Sequence, residues 1–112
     1  MTTVYLGAGH GRSISGGPDP GAVDGVTEAA ITERIVRSAA AALGTSQLRV
    51  VADTSAAQRS YLDAIEFVNA MTPAPDLAIE VHVNAAAAAA ATGVECLALP
   101  GAHDSTRAAA TL

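Results

Sequence analysis

The chain has 112 residues, enough for one small domain, and half of them are apolar, with alanine prominent and only Tyr5, Tyr61 and Phe67 aromatic. A formal charge of −5, with six Lys plus Arg and no basic cluster, argues against nucleic-acid and anionic-membrane partners, which need cationic groups. The single cysteine, Cys96, excludes an internal disulfide framework and a cysteine-based zinc finger.

The opening residues run straight into a strand-like segment, with no basic start before a long apolar stretch, so no signal peptide is expected. Thr3-Val4-Tyr5-Leu6 reads as a short buried strand, broken by Gly7-Ala8-Gly9-His10-Gly11. Residues 12–25 are mostly glycine, serine, proline and aspartate with no hydrophobic period, hence a surface loop. Thr27 is a suitable N-cap for a helix over 28–43, in which Ile31, Ile35, Ala39, Ala42 and Leu43 recur at helical spacing until Gly44. A second strand is expected over 48–52, and a second helix over 57–71 with Tyr61, Ile65 and Val68 on one face, ended by Pro73 and Pro75.

In the third strand, 77–83, alternation sends Ile79, Val81 and Val83 one way and Glu80 and His82 the other. Seven consecutive alanines follow, and 93–99 reads as a fourth strand in which Cys96 fills core. Asp104 or Ser105 is placed to cap a last helix. Strands alternating with helices predict an α/β fold, a mostly parallel central sheet flanked by helices, with ligands gathering at the strands' carboxyl ends. His10 and His82 both fall there.

A hydrolytic zinc site takes three ligands from histidine and carboxylate and leaves one position for water. His10, Glu28 and His82 suit that chemistry. Taken singly, Glu28 is equally a first-turn carboxylate favoured by the helix dipole, and His82 a satisfied core histidine. His10 between two glycines is harder to explain without something approaching the backbone closely. No His-Glu-x-x-His motif is present.

Several linked segments occur together in order: Gly7-Ala8-Gly9-His10-Gly11, Asp19-Pro20-Gly21-Ala22-Val23, Thr27-Glu28-Ala29-Ala30-Ile31, Ile79-Glu80-Val81-His82-Val83-Asn84-Ala85 and Thr92-Gly93-Val94-Glu95. In this the chain resembles the zinc-dependent N-acetylmuramoyl-L-alanine amidases of type 3, found in autolysins and phage endolysins, across most of its length. The resemblance implies one domain over 1–112 of the phosphorylase/hydrolase-like amidase type, incomplete at its C-terminal end. It implies Zn²⁺ held by His10, Glu28 and His82, and Asn84 as a substrate contact. The implied substrate is the amide between N-acetylmuramic acid and the L-alanine of the peptidoglycan stem peptide, cut in the cell wall outside the membrane.

Departures from the family pattern are Gly7, where an aspartate is frequent, Glu80, where many members have serine, and Ala64 and Ile65 in a stretch that usually carries an arginine. The family's general-base glutamate is expected beyond the last residue of this chain. Glu80 is then the carboxylate to consider as base or as a support orienting His82, since strand rise puts it about 7 Å along from that residue. Glu95 reads as a solvated charge, and Glu33, about 140° around the helix from Glu28, as too far round to share a metal. His103 matches no ligand position. Residues 19 and 24 are candidates to touch the peptide, with a simple turn at Asp19-Pro20-Gly21 as the other reading. A non-catalytic zinc- or wall-binding fragment of the same fold is the second reading. A nucleotide-binding module is the third, because three glycines follow a strand and Asp53 ends the next, although no helix opens directly after the glycines.

Overall fold

The β-branched and aromatic run at the start of the chain forms the central strand of a three-stranded parallel sheet. The structure, a computed structural model, describes residues 1–54, 59–84, 90, 93–98, 100, 101 and 107. The central strand β1 (Thr3–Ala8) lies between β6 (Arg49–Asp53) and β7 (Leu77–Val81), with Tyr5 opposite Val51 on one side and Ala78 on the other. Four two-residue strands, β2 (Gly11–Arg12), β3 (Pro18–Asp19), β4 (Val23–Asp24) and β5 (Val26–Thr27), pair as two small antiparallel ribbons within the segment expected to be loop. The helices are α1 (Glu28–Leu43) and α2 (Tyr61–Ala70). The α/β class with a parallel sheet and flanking helices is as the element order predicts.

Alternation along β1 divides the molecule into two layers. Val4 and Leu6 join Val36 of α1 in the core, with Ala39, Ala40, Leu43, Ile79 and Val81 packed around them. Tyr5, on the opposite face, meets Phe67 of α2 at a ring-centroid distance of 6.1 Å. α1 has the predicted bounds and the predicted cap, since Thr27 Oγ1 accepts the Ala30 N–H. Its buried stripe is rotated from the predicted one: Thr32 and Val36 are buried while Ile35 is exposed. Thr32 can occupy that position because its hydroxyl donates to the Gly9 carbonyl, which removes the cost of burying a polar group.

α2 begins later than the expected 57, with Ser60 as its N-cap and Asp63 N–H as the capped donor. Its inward residues are Ala64, Phe67 and Val68, while Tyr61 and Ile65 lie outward. Periodicity fixes that an apolar stripe exists; the stacking of Phe67 on Tyr5 and Arg59 selects which edge of it turns inward.

The expected fourth strand is not formed. Residues 93–98 have no regular structure, Val94 and Leu97 are 90% and 88% exposed, and Cys96 is exposed, so it is not core filler. Strand propensity expresses itself only where a neighbouring strand supplies hydrogen bonds and a face to pack on, and among the described residues none is paired to this segment. Most of the alanine run, His103 and the expected last helix lie outside the described residues. Among the described residues, no helix is long and apolar enough to cross a membrane.

Candidate metal centre

Three backbone segments converge at the carboxyl end of the sheet. His10 follows β1, His82 follows β7, and Glu28 opens α1. The Gly9 N–H donates to the Val81 carbonyl at 2.8 Å and ties the two strand ends together. A Cβ on Gly9 would sit 2.5 Å from His82 Cε1 and 2.6 Å from the Val81 oxygen, so this glycine is what permits the two histidine-bearing segments to touch. The Thr32 hydroxyl, donating to Gly9 at 2.8 Å, fastens the first turn of α1 to the same loop.

Glu28 is only 6% exposed. Its Oε1 accepts the Val83 N–H at 2.8 Å, and Oε2 accepts the Ala22 N–H at 3.0 Å. Each oxygen also meets one imidazole: Oε2 lies 3.3 Å from His10 Nε2 and Oε1 lies 3.2 Å from His82 Nδ1. The rings stand edge to face with centroids 5.0 Å apart. One donor atom from each of the three residues lies within 4.8 Å of the others.

The outward nitrogen of each ring has its own carboxylate. His10 Nδ1 is 2.9 Å from Asp19 Oδ2, and His82 Nε2 is 2.8 Å from Glu80 Oε1. The contact to Glu80 follows from the shared strand face expected of these two residues. The partnership of His10 with Asp19 was not legible in the sequence, where Asp19 reads as a peptide contact or as the first residue of a turn. Its signal is the β2–β3 ribbon, which pairs Gly11 with Asp19, and ribbons this short leave little trace in periodicity.

These surroundings perturb the titration of the group. Burial alone would lower the His10 pKa, but the hydrogen bond to Asp19 and the nearby charge of Glu28 outweigh it and raise the value. For Glu28 burial acts to raise the pKa, and the Ala22 and Val83 N–H bonds together with the histidines bring it below the ordinary carboxylate value. The His10 hydrogen bond, followed by the Gly21 N–H, lowers Asp19.

The donor set fits a zinc ion. Ligand atoms about 2.0–2.2 Å from a tetrahedral zinc are about 3.3–3.6 Å from one another; the two imidazole–carboxylate contacts, at 3.3 and 3.2 Å, are close to that spacing but use different Glu28 oxygens, and with one donor atom per residue the set lies within 4.8 Å. The site also opens onto a cleft of about 730 Å³, whose lining includes His10, Glu80 and His82 and, on the far wall, Tyr5, Asp53 and Arg59. The far wall is a polar cluster: the Tyr5 hydroxyl donates to Asp53 Oδ2 at 3.1 Å, Arg59 Nη1 lies 2.9 Å from Asp53 Oδ1, and the guanidinium sits 3.9 Å over the Phe67 ring. Burial first, and the Asp53 charge second, push the Tyr5 pKa well up.

The pattern of the N-acetylmuramoyl-L-alanine amidase family matches residues 4–112. The chain belongs to that family. Among curated proteins and among solved structures nothing matches it. Membership makes the general activity that of a peptidoglycan amidase acting on the cell wall, in a family that is generally zinc-dependent. Other residues singled out in this amidase sequence lie apart from the triad. Asn84 is exposed and donates to Glu95 Oε1 at 2.8 Å, and Glu33 is paired with Arg37. The nucleotide reading lacks its helix, since α1 starts at Glu28 and Asp53 is held by Tyr5 and Arg59.

Proposed function

We propose that this chain holds one Zn²⁺ through His10, Glu28 and His82 and hydrolyses the amide between N-acetylmuramic acid and the L-alanine of the stem peptide. The reading is supported above all by the convergence of three donor atoms from separate elements to within 4.8 Å, each side chain being anchored elsewhere by protein hydrogen bonds. When bound, zinc supplies a water molecule acidified toward neutral pH and polarises the scissile carbonyl.

The chain's own residues hold the geometry for that chemistry. Glu28 is fixed through both oxygens by backbone N–H groups, so its carboxylate cannot rotate away from the imidazoles. With Glu80 accepting the Nε2–H, the neutral His82 ring turns its Nδ1 lone pair toward the Glu28 side. Through Oε1 Glu80 orients His82, and as the carboxylate beside the triad it is also the group to take a proton from the water and return it to the leaving amine. The cleft between the triad and the Tyr5–Asp53–Arg59 wall receives the peptide.

His82→Ala should abolish stoichiometric zinc binding, as read by metal content after dialysis; unchanged zinc content would remove His82 from the site. Zinc at one per chain without release of stem peptide from muropeptides would favour a non-catalytic, wall-binding role for the same fold.

A further inference from the structure

The turn that follows β3 touches two of the three proposed ligands, and nothing in the family assignment gives it a role. Asp19 uses both carboxylate oxygens, Oδ2 toward His10 Nδ1 at 2.9 Å and Oδ1 accepting the Gly21 N–H at 3.1 Å. An ionised carboxylate only accepts hydrogen bonds, so Asp19 holds a proton on Nδ1, and in the neutral ring, the form a metal binds, the Nε2 lone pair is then left on the side of Glu28. Two residues on, the Ala22 N–H donates to Glu28 Oε2. The turn is fastened to the start of α1 by two backbone bonds, Glu28 N–H to Ala22 at 2.8 Å and Ala29 N–H to Pro20 at 3.1 Å.

Two further observations show that the turn is built against the ligands rather than merely near them. A Cβ on Gly21, whose φ is 66°, would lie 2.7 Å from both Glu28 Oε2 and His10 Cδ2, so the backbone itself fills the space between them. His10 is the one non-glycine residue with positive φ among the described residues, at 67°. A side chain in that region costs roughly 1 kcal/mol or more unless its surroundings hold it there.

We propose that Asp19 is a positioning residue for metal binding: it locks the His10 ring with Nδ1 protonated and Nε2 free to ligate, while the Gly21-Ala22 backbone sets the neighbouring Glu28. The inference rests on the reading of the triad as a zinc site, and it assigns to residues 19–22 the work for His10 that Glu80 does for His82.

The test is zinc affinity of the full chain, by competition with a chelating dye, for the unaltered protein, Asp19→Ala, Asp19→Asn and Pro20→Ala. Loss of a partner that orients a ligand costs about 10–100-fold in metal affinity, so both Asp19 variants should weaken binding by that factor with one zinc per chain retained. Pro20→Ala should stay close to the unaltered protein. Asp19→Asn keeps an oxygen for the Gly21 N–H yet turns an amide donor toward His10, and it decides the matter if Asp19→Ala is poorly folded. A readout specific to the ring is the His10 Nδ1–H resonance of the zinc-loaded protein in proton–nitrogen spectra. It should be visible in the unaltered chain and lost to solvent exchange in Asp19→Ala. Equal affinities together with a retained Nδ1–H signal would overturn the inference while leaving the zinc site standing. Failure of the unaltered chain to take up one zinc would sink the zinc reading itself, and this inference with it.

Discussion

α1 buries Glu28, Thr32 and Val36 against one face of β1, whereas α2 on the other face fully buries none of its ten residues. The first helix is joined to the sheet by aliphatic packing and by the Thr32–Gly9 bond, and its first residue is the carboxylate between the two histidines. The second is held through Phe67 on Tyr5 and the Arg59–Asp53 pair. Ligands to a metal have to be held to within a fraction of an ångström by their supports, and Glu28, which we propose as one of them, comes from the well-anchored side. α2 lies behind the opposite wall of the cleft, and there the packing of the helix is thin.

The largest effect expected from breaking this contrast is at Glu28. Glu28→Ala removes the shared carboxylate and leaves two part-buried N–H groups, those of Ala22 and Val83, without their acceptor, at up to about 1–3 kcal/mol each, so zinc uptake should vanish and the urea midpoint should drop. Zinc bound at one per chain by this variant would show that the tightly held side is not the ligand side. A smaller and paired effect sharpens the comparison of the helices. Val36→Ala opens a void in the core and should cost roughly 2 kcal/mol, while Ile65→Ala, at a half-exposed position of α2, should change stability by less than about 0.5 kcal/mol. Equal losses in urea titrations would mean that α2 is anchored as firmly as α1.

The mildest test is one of sign. Glu28 and Asp19 titrate below their ordinary values of 4.5 and 3.8, so their contribution is complete above that range and is lost as acid carries the pH down through the lowered folded values. His10 titrates above its ordinary 6.5, so its contribution is complete below 6.5 and disappears as the pH rises through the raised folded value. The metal-free protein should therefore melt highest between those two limits and lose stability on the alkaline side. Zinc requires neutral imidazoles, so the rise in melting temperature on adding zinc should grow over the same alkaline interval. A metal-free melting temperature that climbs steadily above 6.5 would contradict the histidine–carboxylate cluster.

Much of the frame was legible because it depends on local chemistry. The bounds of α1 follow from Thr27 and Gly44, and the Glu80–His82 contact from the two-residue period of a strand. The triad itself was named through a resemblance to a family, since nothing in the spacing of residues 10, 28 and 82 brings them together. Other features depended on partners that the sequence cannot display. Residues 93–98 have the composition of a strand but no neighbour to pair with, and the face of α2 was chosen by Phe67 meeting Tyr5 and Arg59.

Taken alone, the sequence determined the order of β1, α1, β6, α2 and β7 and the glycines flanking His10, because these are set by the conformational preferences of each residue and its near neighbours. Only the tertiary structure decided that Thr32 rather than Ile35 enters the core, that Asp19 meets His10, and that Glu28 faces both imidazoles. The first and last of these are contacts between segments distant along the chain, whose energy exists only once the parallel sheet has brought their ends to one edge, while Asp19 reaches His10 through the short antiparallel β2–β3 ribbon.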